Sequence, residues 1–467
     1  MNKMLLYKLN PVIKFRWEKD TILLNTLLPF NKTAGNILEM FKDGPKSFQK
    51  ILNTVSSKYK NDNLEQITKD VESLFEQLIK YNILMNANDD ETVEKNNLRG
   101  MSWNFAEIIK RVYKNQLSAP ARVSCKITSK CNAKCLHCYA SDPEEGDELT
   151  FDEWKRFFDY LAEIGVFSVN FTGGDPLCRK EIVELVEYCH YKGLSVTIVT
   201  NGLALNRDIA SSLKKAGVRA IIQSLDGACA ETHDKFRQVK GLYNKVLENI
   251  ELLKELNIPT AILTTINKLN IDEIEKIIDI VEQKGVKIIS LMRFIDSGSG
   301  DRNRYLMPSL EDYMELLPKL YKRMNQSSKI KVLFPDVPAK CYEKTIGLNA
   351  YQKIKQNGFI APCSAGITTI AISSTGGIKV CDISENYFIG NIRSDKLQDV
   401  WLNSPILNTI RNVSKTAEEF CSECDSLNSI CWSGCRAFDY QVSSCTTKKQ
   451  YGCDSICEDC YEKLVNQ

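Results

Sequence analysis

Three cysteines stand close together in the first third of the chain. Cys131, Cys135 and Cys138 are separated by three and then two residues in a polar segment. Reduced thiols at this spacing bind metal, and three thiolates can occupy three irons of a [4Fe–4S] cube, which leaves the fourth iron open to a chelating substrate. Zinc is the alternative metal, but it normally takes a fourth ligand. His137 could supply that ligand, although its position next to Cys138 would strain the loop.

Three further motifs follow, each at the end of a predicted strand. They are Thr172-Gly173-Gly174-Asp175-Pro176, Thr200-Asn201-Gly202 and Gln223-Ser224-Leu225-Asp226-Gly227, and the segment His233-Asp234-Lys235-Phe236-Arg237 comes next. Glycines permit close backbone approach, and a carboxylate offers a charge-assisted hydrogen bond. One such motif alone is typical of an ordinary turn. Because they follow successive strands, together with the cysteine motif they indicate a single shared site.

These four strand-end motifs resemble the radical S-adenosylmethionine (radical SAM) enzymes. The resemblance implies that the three cysteines bind a [4Fe–4S] cluster whose open iron receives exchangeable S-adenosylmethionine. The Gly-Gly-Asp-Pro motif would receive the methionine ammonium, with Asp175 standing where the family more commonly has Glu. Ser224 and Arg237 would hold the methionine carboxylate, for which a guanidinium offers a planar fork.

The resemblance also implies the chemistry and the rest of the cofactor site. The reduced cluster would donate one electron to the sulfonium, and the resulting 5′-deoxyadenosyl radical would abstract a hydrogen from an unactivated carbon. His137 and Tyr139 would pack near the adenine, and for His233 a structural hydrogen bond is an equal alternative to catalysis. The other residues expected at the cofactor are Gly173, Gly174, Pro176, Asn201 and Asp226.

The end of the chain holds a second group of cysteines. Cys363 is followed after twelve residues by Gly376 and after four more by Cys381, and four further cysteines lie between residues 421 and 435. This pattern resembles the SPASM extension of the same superfamily, which carries two auxiliary [4Fe–4S] clusters. The resemblance assigns Cys363, Cys381 and Cys435 to the first auxiliary cluster and Cys421, Cys424 and Cys431 to the second.

Two ligands of the auxiliary clusters stay open. Cys341 could complete the first cluster; otherwise that cluster has an open iron, to which a substrate thiolate could bind. Cys453 and Cys457 are the two candidates for completing the second cluster. Cys453 has the commoner spacing from Cys435, whereas Cys457 follows a segment that better resembles the ending of the family motif. Zinc ribbons are the alternative for the whole C-terminal set.

Alternating strands and helices must position these motifs. Apolar strands are predicted at residues 123–128, 168–172, 195–199, 220–224, 260–266 and 287–294, with amphipathic helices between them. Six β–α units in series predict an α/β fold, a partial (β/α)6 TIM-like barrel with its chemistry at the carboxyl ends of the strands. The last 140 or so residues are loop-rich with no obvious large core, so metal clusters would help to stabilise them.

The N-terminal region carries no cysteine in its first ninety or so residues. Alternation of Ile13, Phe15 and Trp17 with charged residues predicts a strand, residues 22–24 a second, and three helical patterns follow. This hairpin and its helices form a winged-helix-like domain and resemble the PqqD-like peptide-recognition element. The predicted domains are residues 1–88 for that element, 89–118 for a linker, 119–326 for the barrel and 327–467 for the SPASM domain.

Composition limits the functional classes. The 467 residues carry 61 basic and 59 acidic side chains, a net charge of +2, which argues against a nucleic-acid partner. No apolar run is long enough for a membrane span or a signal peptide, which predicts a cytoplasmic protein with reduced thiols. The eighteen cysteines are therefore better explained by iron–sulfur or zinc sites than by disulfides.

The sequence predicts a radical enzyme that modifies a ribosomally made precursor peptide. The leader would bind the N-terminal domain, and the core peptide would be crosslinked, most plausibly from a cysteine sulfur to a carbon as a thioether. A flavodoxin or ferredoxin would donate electrons. The alternatives within the same machinery are a carbon–carbon crosslink, formylglycine generation and haem-pathway decarboxylation. A zinc-binding winged-helix regulator is the alternative from another class.

Overall fold

The computed structural model describes residues 5–11, 13–18, 21–25, 29–58, 64–80, 83–88, 116–325, 329–334, 345–347, 349–350, 353–354, 364–384 and 388–411. The chain divides into two compact units, Met1–Lys114 and Asn115–Gln467, each with its own apolar core. The four domains expected from the sequence are a finer division and stay a prediction. Within the described ranges, no helix has the length and apolar character to cross a bilayer.

The first unit contains two small sheets and three helices. Its strands are β1 (Leu6–Leu9), β2 (Phe15–Glu18), β3 (Thr21–Leu24), β4 (Pro29–Asn31), β5 (Lys46–Ser47) and β6 (Leu84–Asn86), and its helices are α1 (Lys32–Met40), α2 (Phe48–Lys58) and α3 (Leu64–Lys80). The strands pair in the orders β5-β1-β6 and β2-β3-β4. The hairpin followed by three helices is confirmed. The other four strands escape sequence prediction because each has only two to four residues.

An aromatic cluster forms the core of this unit. Phe75 of α3 is fully buried, and its ring lies edge-on to Tyr7 at 5.9 Å and to Phe48 at 5.1 Å between centroids. Edge-to-face contact is a favourable arrangement of aromatic rings. Asn31 begins α1, because its side chain accepts a hydrogen bond from the Ala34 amide at 2.9 Å. The amphipathic pattern that predicted these helices therefore places their apolar faces on one core.

The described part of the second unit contains one ten-stranded sheet and the helices that cover it. The strands are β7 (Arg122–Lys126), β8 (Ser168–Thr172), β9 (Ser195–Thr200), β10 (Ala220–Ser224), β11 (Thr260–Thr265), β12 (Ile288–Met292), β13 (Lys331–Leu333), β14 (Thr369–Ile372), β15 (Gly377–Lys379) and β16 (Phe388–Asn391). The helices are α4 (Phe151–Glu163), α5 (Ile182–Tyr191), α6 (Arg207–Lys215), α7 (Ala230–Arg237), α8 (Leu242–Glu255), α9 (Ile274–Gln283), α10 (Ser299–Arg302), α11 (Leu310–Asn325), α12 (Leu397–Asn403) and α13 (Pro405–Arg411).

The strands from β7 to β13 lie side by side in chain order and pair in parallel. This is the predicted α/β architecture, in which helices return the chain to the same sheet edge. Burial alternates along most of these strands, as in β9, where Val196 and Ile198 are fully buried and Thr197 between them is partly exposed. Side-chain caps define the starts of two helices. Thr150 forms a capping box with Glu153 before α4, and the Asn206 side chain accepts from the Ile209 amide before α6. All carboxyl ends of the parallel strands therefore meet at one edge.

The C-terminal region extends this sheet, which differs from the loop-rich region expected from the sequence. Strand β14 pairs in parallel with β7, with Thr369 opposite Arg122, and β15 and β16 continue antiparallel beyond it. Trp401 of α12 is fully buried and donates through its indole nitrogen to the Leu117 carbonyl at 2.8 Å. The sequence showed no obvious large core here, but residues 364–384 and 388–411 do pack through apolar strands and Trp401.

Candidate functional site

The three motif cysteines lie on the loop that follows β7. Cys135 is buried, Cys138 is partly buried and Cys131 is exposed. The loop backbone is tied to two other elements, since the Leu136 amide donates to the Phe236 carbonyl at 3.0 Å and the Ser299 amide donates to the Cys138 carbonyl at 2.8 Å. These bonds fix the loop against the end of α7 and the start of α10.

Two of the three thiols resist ionisation in this environment. Burial, followed by the nearby negative charge of Asp175 and the other two cysteines, raises the pKa of Cys131 to about 11. Burial also raises the pKa of Cys138, with Cys135 adding to it. A metal must therefore displace protons as it binds these sulfurs.

Three thiols on one loop are suitable ligands for a [4Fe–4S] cluster. In the part of the chain that the structure describes, no three His, Cys, Asp or Glu side chains stand close enough to enclose one metal ion. A [4Fe–4S] cube makes a different demand, because each protein thiolate binds a different iron. The cysteine loop provides three thiols at one strand end, and N–H donors reach two of their sulfurs, as described below. These residues match the donor set that such a cluster takes.

The glycines after β8 let two loops touch. The Gly174 amide donates to the Thr128 carbonyl at 2.9 Å, and the Asp175 amide donates to the Lys130 carbonyl at 2.8 Å. A Cβ on Gly173 would lie 2.3 Å from the Thr128 oxygen, and one on Gly174 would lie 2.3 Å from the Lys130 oxygen. Glycine is required here because the backbone of this loop packs on the cysteine loop. The sequence predicted a close approach to a ligand, and the structure adds this second reason.

The Asp175 carboxylate is 1% exposed and is surrounded by neutral donors. It accepts from the Leu177 amide at 2.9 Å, the Thr200 hydroxyl at 2.7 Å and the Asn201 amide at 2.8 Å. Burial raises the pKa of Asp175, against the effect of these hydrogen bonds. Through these hydrogen bonds the Asp175 carboxylate connects the loop after β8 to the loop after β9. The adjacent Pro176 is buried at the start of a short 3-10 turn. The contact of Asp175 with the methionine ammonium stays a prediction.

Asn201 connects this loop to the cysteine loop. Its side-chain amide donates to the Asn132 side-chain oxygen at 2.8 Å and lies 3.8 Å from the Cys131 sulfur. The residue is 7% exposed. Asn201 was predicted to bind the cofactor, and the structure places it directly beside one of the three predicted cluster ligands.

Asp226 and Arg237 form a buried ion pair after β10. The Arg237 Nε donates to the Asp226 Oδ2 at 2.6 Å, and the other Asp226 oxygen accepts from the Thr265 amide at 2.7 Å. Burial favours the neutral acid, but Arg237 outweighs burial and holds the pKa of Asp226 below its ordinary value. Burial opposes the charge of Arg237 as well, yet Asp226 and Cys135 raise its pKa, so the guanidinium is permanently cationic. Its Nη1 also lies 3.7 Å from the Cys135 sulfur.

Ser224, predicted to hold the methionine carboxylate with Arg237, is the last residue of β10 and is 8% exposed. The end of β10 positions Ser224 and Asp226, and the end of α7 positions Arg237 beside the cysteine loop. Their contacts with a bound cofactor stay predictions.

Two neutral histidines flank the ion pair. The His137 ring stacks on Phe236 with 4.3 Å between centroids, and burial, followed by the charge of Arg237, lowers its pKa to about 3. The Nδ1 of His233 accepts from the Asp226 amide at 2.9 Å, and burial lowers the pKa of this histidine to about 4. His233 therefore makes the structural hydrogen bond that the sequence offered as one alternative.

Cys381 follows β15 beside a polar pocket at the edge of the barrel. The pocket is lined by Lys126, Tyr139, Ala140, Asp142, Glu144, Thr172, Gly173, Ala371, Ile372, Ser373, Lys379 and Asp382. Lys126 and Glu144 pair at 3.0 Å, and Glu144 also accepts from the Ser374 hydroxyl at 2.7 Å. Sequence analysis missed these charged residues. The available signal was Lys126 at the carboxyl end of β7.

The remaining predicted cluster ligands lie outside the described residues. They are Cys341, Cys363, Cys421, Cys424, Cys431, Cys435, Cys453 and Cys457. Of the C-terminal ligands, the structure describes Cys381, and burial raises the pKa of the adjacent Asp382.

The sequence matches the radical SAM superfamily over residues 125–281 and the SPASM iron–sulfur cluster-binding domain over residues 354–425. It is 31% identical to the AdoMet-dependent heme synthase of Methanosarcina barkeri over 336 residues, which cover 70% of this chain and 94% of that protein. The chain therefore belongs to the radical SAM superfamily and has a SPASM domain. It is an enzyme whose family uses [4Fe–4S] clusters and S-adenosylmethionine.

Two further relatives have related architectures. The PqqA peptide cyclase of Bradyrhizobium diazoefficiens is 29% identical over 327 residues, 68% of this chain and 81% of that protein. The structure of SuiB from Streptococcus suis with S-adenosylmethionine bound superposes with a TM-score of 0.67 at 19% identity, over 93% of this chain and 96% of that chain. The fold of SuiB is thus shared along nearly the whole chain.

Proposed function

We propose that this enzyme crosslinks a ribosomally made precursor peptide and that the bond is a thioether from a cysteine sulfur to a carbon. The observation that carries the proposal is the compact N-terminal unit joined to a radical SAM and SPASM enzyme. Its β2 and β4 are the outer strands of a small sheet. An outer strand can bind an extended leader peptide as an added strand.

The haem synthase relative matches only part of this chain, which supports a separate role for the rest of it. That relative is covered to 94% by 70% of the chain, so it has no counterpart for most of the remainder. SuiB, by contrast, shares its fold with 93% of the chain. The peptide cyclase relative acts, by its name, on a peptide. These comparisons favour a peptide substrate over a tetrapyrrole.

The described residues would hold the cofactors as follows. Cys131, Cys135 and Cys138 would bind the cluster, and Ser224 and Arg237 would hold the methionine carboxylate. The loop after β8 would receive the ammonium, and His137 and Tyr139 would flank the adenine. Cys381 would be one ligand of the first of two auxiliary clusters, and a flavodoxin or ferredoxin would supply electrons.

The overall reaction joins a thiol sulfur to a carbon and removes one hydrogen from each. When bound, S-adenosylmethionine and the iron–sulfur clusters supply the radical that takes the carbon hydrogen and the acceptor for the remaining electron. The protein would orient the carbon and exclude water. The pocket beside Cys381, with Lys126 and Lys379, offers charged groups at the place where the peptide would meet the barrel.

The test is anaerobic incubation of the reconstituted full-length chain with S-adenosylmethionine, dithionite and a cysteine-containing precursor peptide encoded beside its gene. We expect a mass loss of two hydrogens per crosslink, fewer titratable thiols, and slower turnover when the leader is deleted from the peptide. The C131A/C135A/C138A variant is the control and should leave the peptide unchanged. Loss of two hydrogens with all thiols intact would indicate a carbon–carbon crosslink, and an unmodified peptide would reject the proposal.

Haem-pathway decarboxylation is the second candidate, favoured by the 31% identity to a haem synthase. Under this alternative, an iron porphyrin bearing propionate groups would lose carbon dioxide when it replaces the peptide in the same assay. We expect no such loss. Decarboxylation of the porphyrin together with an unmodified peptide would establish the alternative.

A further inference from the structure

Side-chain donors reach two of the three sulfurs on the cysteine loop. The Arg237 Nη1 lies 3.7 Å from the Cys135 sulfur, and the Asn201 Nδ2 lies 3.8 Å from the Cys131 sulfur. Both distances are within hydrogen-bond range for sulfur. The donors differ in charge, since one is a guanidinium cation and the other is a neutral amide.

Each residue that carries a donor is bound by a buried carboxylate. Asp226 fixes the guanidinium through the 2.6 Å bond to Nε, and the Thr265 amide fixes Asp226 in turn. Asp175 accepts from the backbone amide of Asn201 at 2.8 Å, and the side-chain oxygen of Asn201 accepts from the Leu203 amide at 2.8 Å. Hydrogen bonds within the protein therefore orient both side-chain donors.

A donor at a ligand sulfur affects the redox state of an iron–sulfur cluster. One-electron reduction adds one negative charge to the cluster and takes up no proton in this step. N–H groups that point at the sulfurs stabilise the added charge, and hydrogen bonds to the sulfurs are among the factors that set cluster potentials. A charged donor makes the stronger bond. Arg237 should therefore have a larger effect than Asn201.

We propose that Arg237 and Asn201 are positioning residues that set the reduction potential of the radical SAM cluster through Cys135 and Cys131. The inference rests on the family's cluster and not on the peptide substrate. It is also compatible with the expected role of Arg237 at the methionine carboxylate, because the bonds to Asp226 and Cys135 use two of its five N–H donors.

The test is a dithionite titration of the anaerobically reconstituted full-length chain, followed by electron paramagnetic resonance without any peptide. The relevant signal is the one that changes when S-adenosylmethionine is added, which separates this cluster from the auxiliary clusters. In R237Q we expect about a tenfold lower ratio of reduced to oxidised cluster at a given potential, equal to a midpoint about 59 mV more negative.

D226N provides the second arm. It removes a negative charge beside the guanidinium but keeps a side-chain oxygen at position 226 that can still accept from the Arg237 Nε. The donor to Cys135 therefore stays in place, and the midpoint should move to a less negative potential. A purely structural role predicts the same direction in both variants, because both break the same ion pair. If the R237Q variant binds no iron, the direction in which the midpoint potential shifts in D226N still tests the proposal.

R179Q is the matched control. Arg179 donates to the Ile127 and Leu149 carbonyls at 2.7 and 3.1 Å and so supports the start of the same loop through backbone groups. The midpoint potential of the R179Q variant should equal that of the unchanged protein. An unchanged midpoint in R237Q, a shift of equal size in R179Q, or a more negative midpoint in D226N would each overturn the proposal.

Discussion

Asp175 and Asp226 occupy equivalent places and behave in opposite ways. Each follows a parallel strand, each is at most 1% exposed, and each holds a residue whose side chain meets a sulfur of the cysteine loop. Asp175 is bound by three neutral donors, and its pKa is raised. Asp226 is bound by a cation, and its pKa is lowered. Burial is the same in both, so the charge of the partner decides the direction.

The difference separates two kinds of support at one site. A carboxylate among neutral donors can gain a proton at moderately acidic pH, because nothing nearby requires its charge. A carboxylate paired with a buried cation stays ionised to lower pH and must be kept, because its loss strands the cation. Of the two carboxylates, Asp175 is therefore the one that can gain a proton as the pH falls, whereas Asp226 stays ionised.

The largest effect should follow from breaking the ion pair. In D226N the Arg237 cation stays buried without its carboxylate, and we expect the free energy of unfolding to fall by about 3–5 kcal/mol. Urea denaturation of the metal-free full-length chain, followed by circular dichroism, measures the change. The control is E255Q, because Glu255 pairs with Arg207 on the surface, where both side chains are more than half exposed. That variant should leave stability close to that of the unchanged chain, because water and salt screen an exposed ion pair. Equal effects in the two variants would remove the distinction.

His233 should add an acid-sensitive contribution on the Asp226 side. Its pKa is about 4 in the folded chain and about 6.5 when unfolded. Between these values the unfolded chain binds more protons, so stability falls as the pH is lowered from about 6.5 towards 4. At 1.36 kcal/mol per pKa unit the loss is at most about 3 kcal/mol.

H233N is the matched variant, because an Asn side-chain oxygen can also accept the hydrogen bond from the Asp226 amide. Urea denaturation at a series of pH values should show a shallower loss of stability in H233N than in the unchanged chain below pH 6.5. Parallel curves for the two proteins would contradict the expected contribution.

Local sequence patterns were sufficient to predict the parts of the molecule that these experiments address. Apolar runs between amphipathic helices located strands β7 to β12, and the strand-end motifs lie at one edge of the sheet, where the carboxyl ends of parallel strands meet. The partners within the site were harder to predict. Nothing in Gly-Gly-Asp-Pro indicates that Asp175 accepts from Thr200 and Asn201, because those bonds depend on how two loops meet in space.

Long-range pairing was the other limit. The apolar run around residues 367–372 is strand-sized, but its pattern cannot specify that Thr369 pairs with Arg122, nearly 250 residues earlier. As a result, the sequence showed no obvious large core in the C-terminal region. The charged residues near Cys381 were missed for the same reason, since Lys126 and Glu144 flank the cysteine loop while Ser374 comes from the turn after β14.

D175N changes the carboxylate that is bound by neutral donors, and it should lower stability moderately. The carboxylate accepts from two backbone amides and one hydroxyl, whereas an Asn side chain must direct an NH2 group at one set of donors. The unmet hydrogen bond should lower the free energy of unfolding by about 1–3 kcal/mol. Urea denaturation at pH 7 measures this effect beside D226N. A loss larger than that of D226N would mean that neutral donors, and not the cation, provide the stronger support.

The smallest effect is expected where the neutral donor meets sulfur. In N201A the Cys131 sulfur loses the amide donor at 3.8 Å but keeps the Ala133 backbone amide at 3.5 Å. The ratio of reduced to oxidised cluster at a given potential should fall by about threefold, less than in R237Q, because a neutral donor stabilises the added charge less than a cation does. N201D is the companion variant, since it places an acidic group near Cys131, and it should lower the ratio further. If N201A shifts the midpoint as much as R237Q does, the charge of the donor is not what distinguishes the two sides of the site.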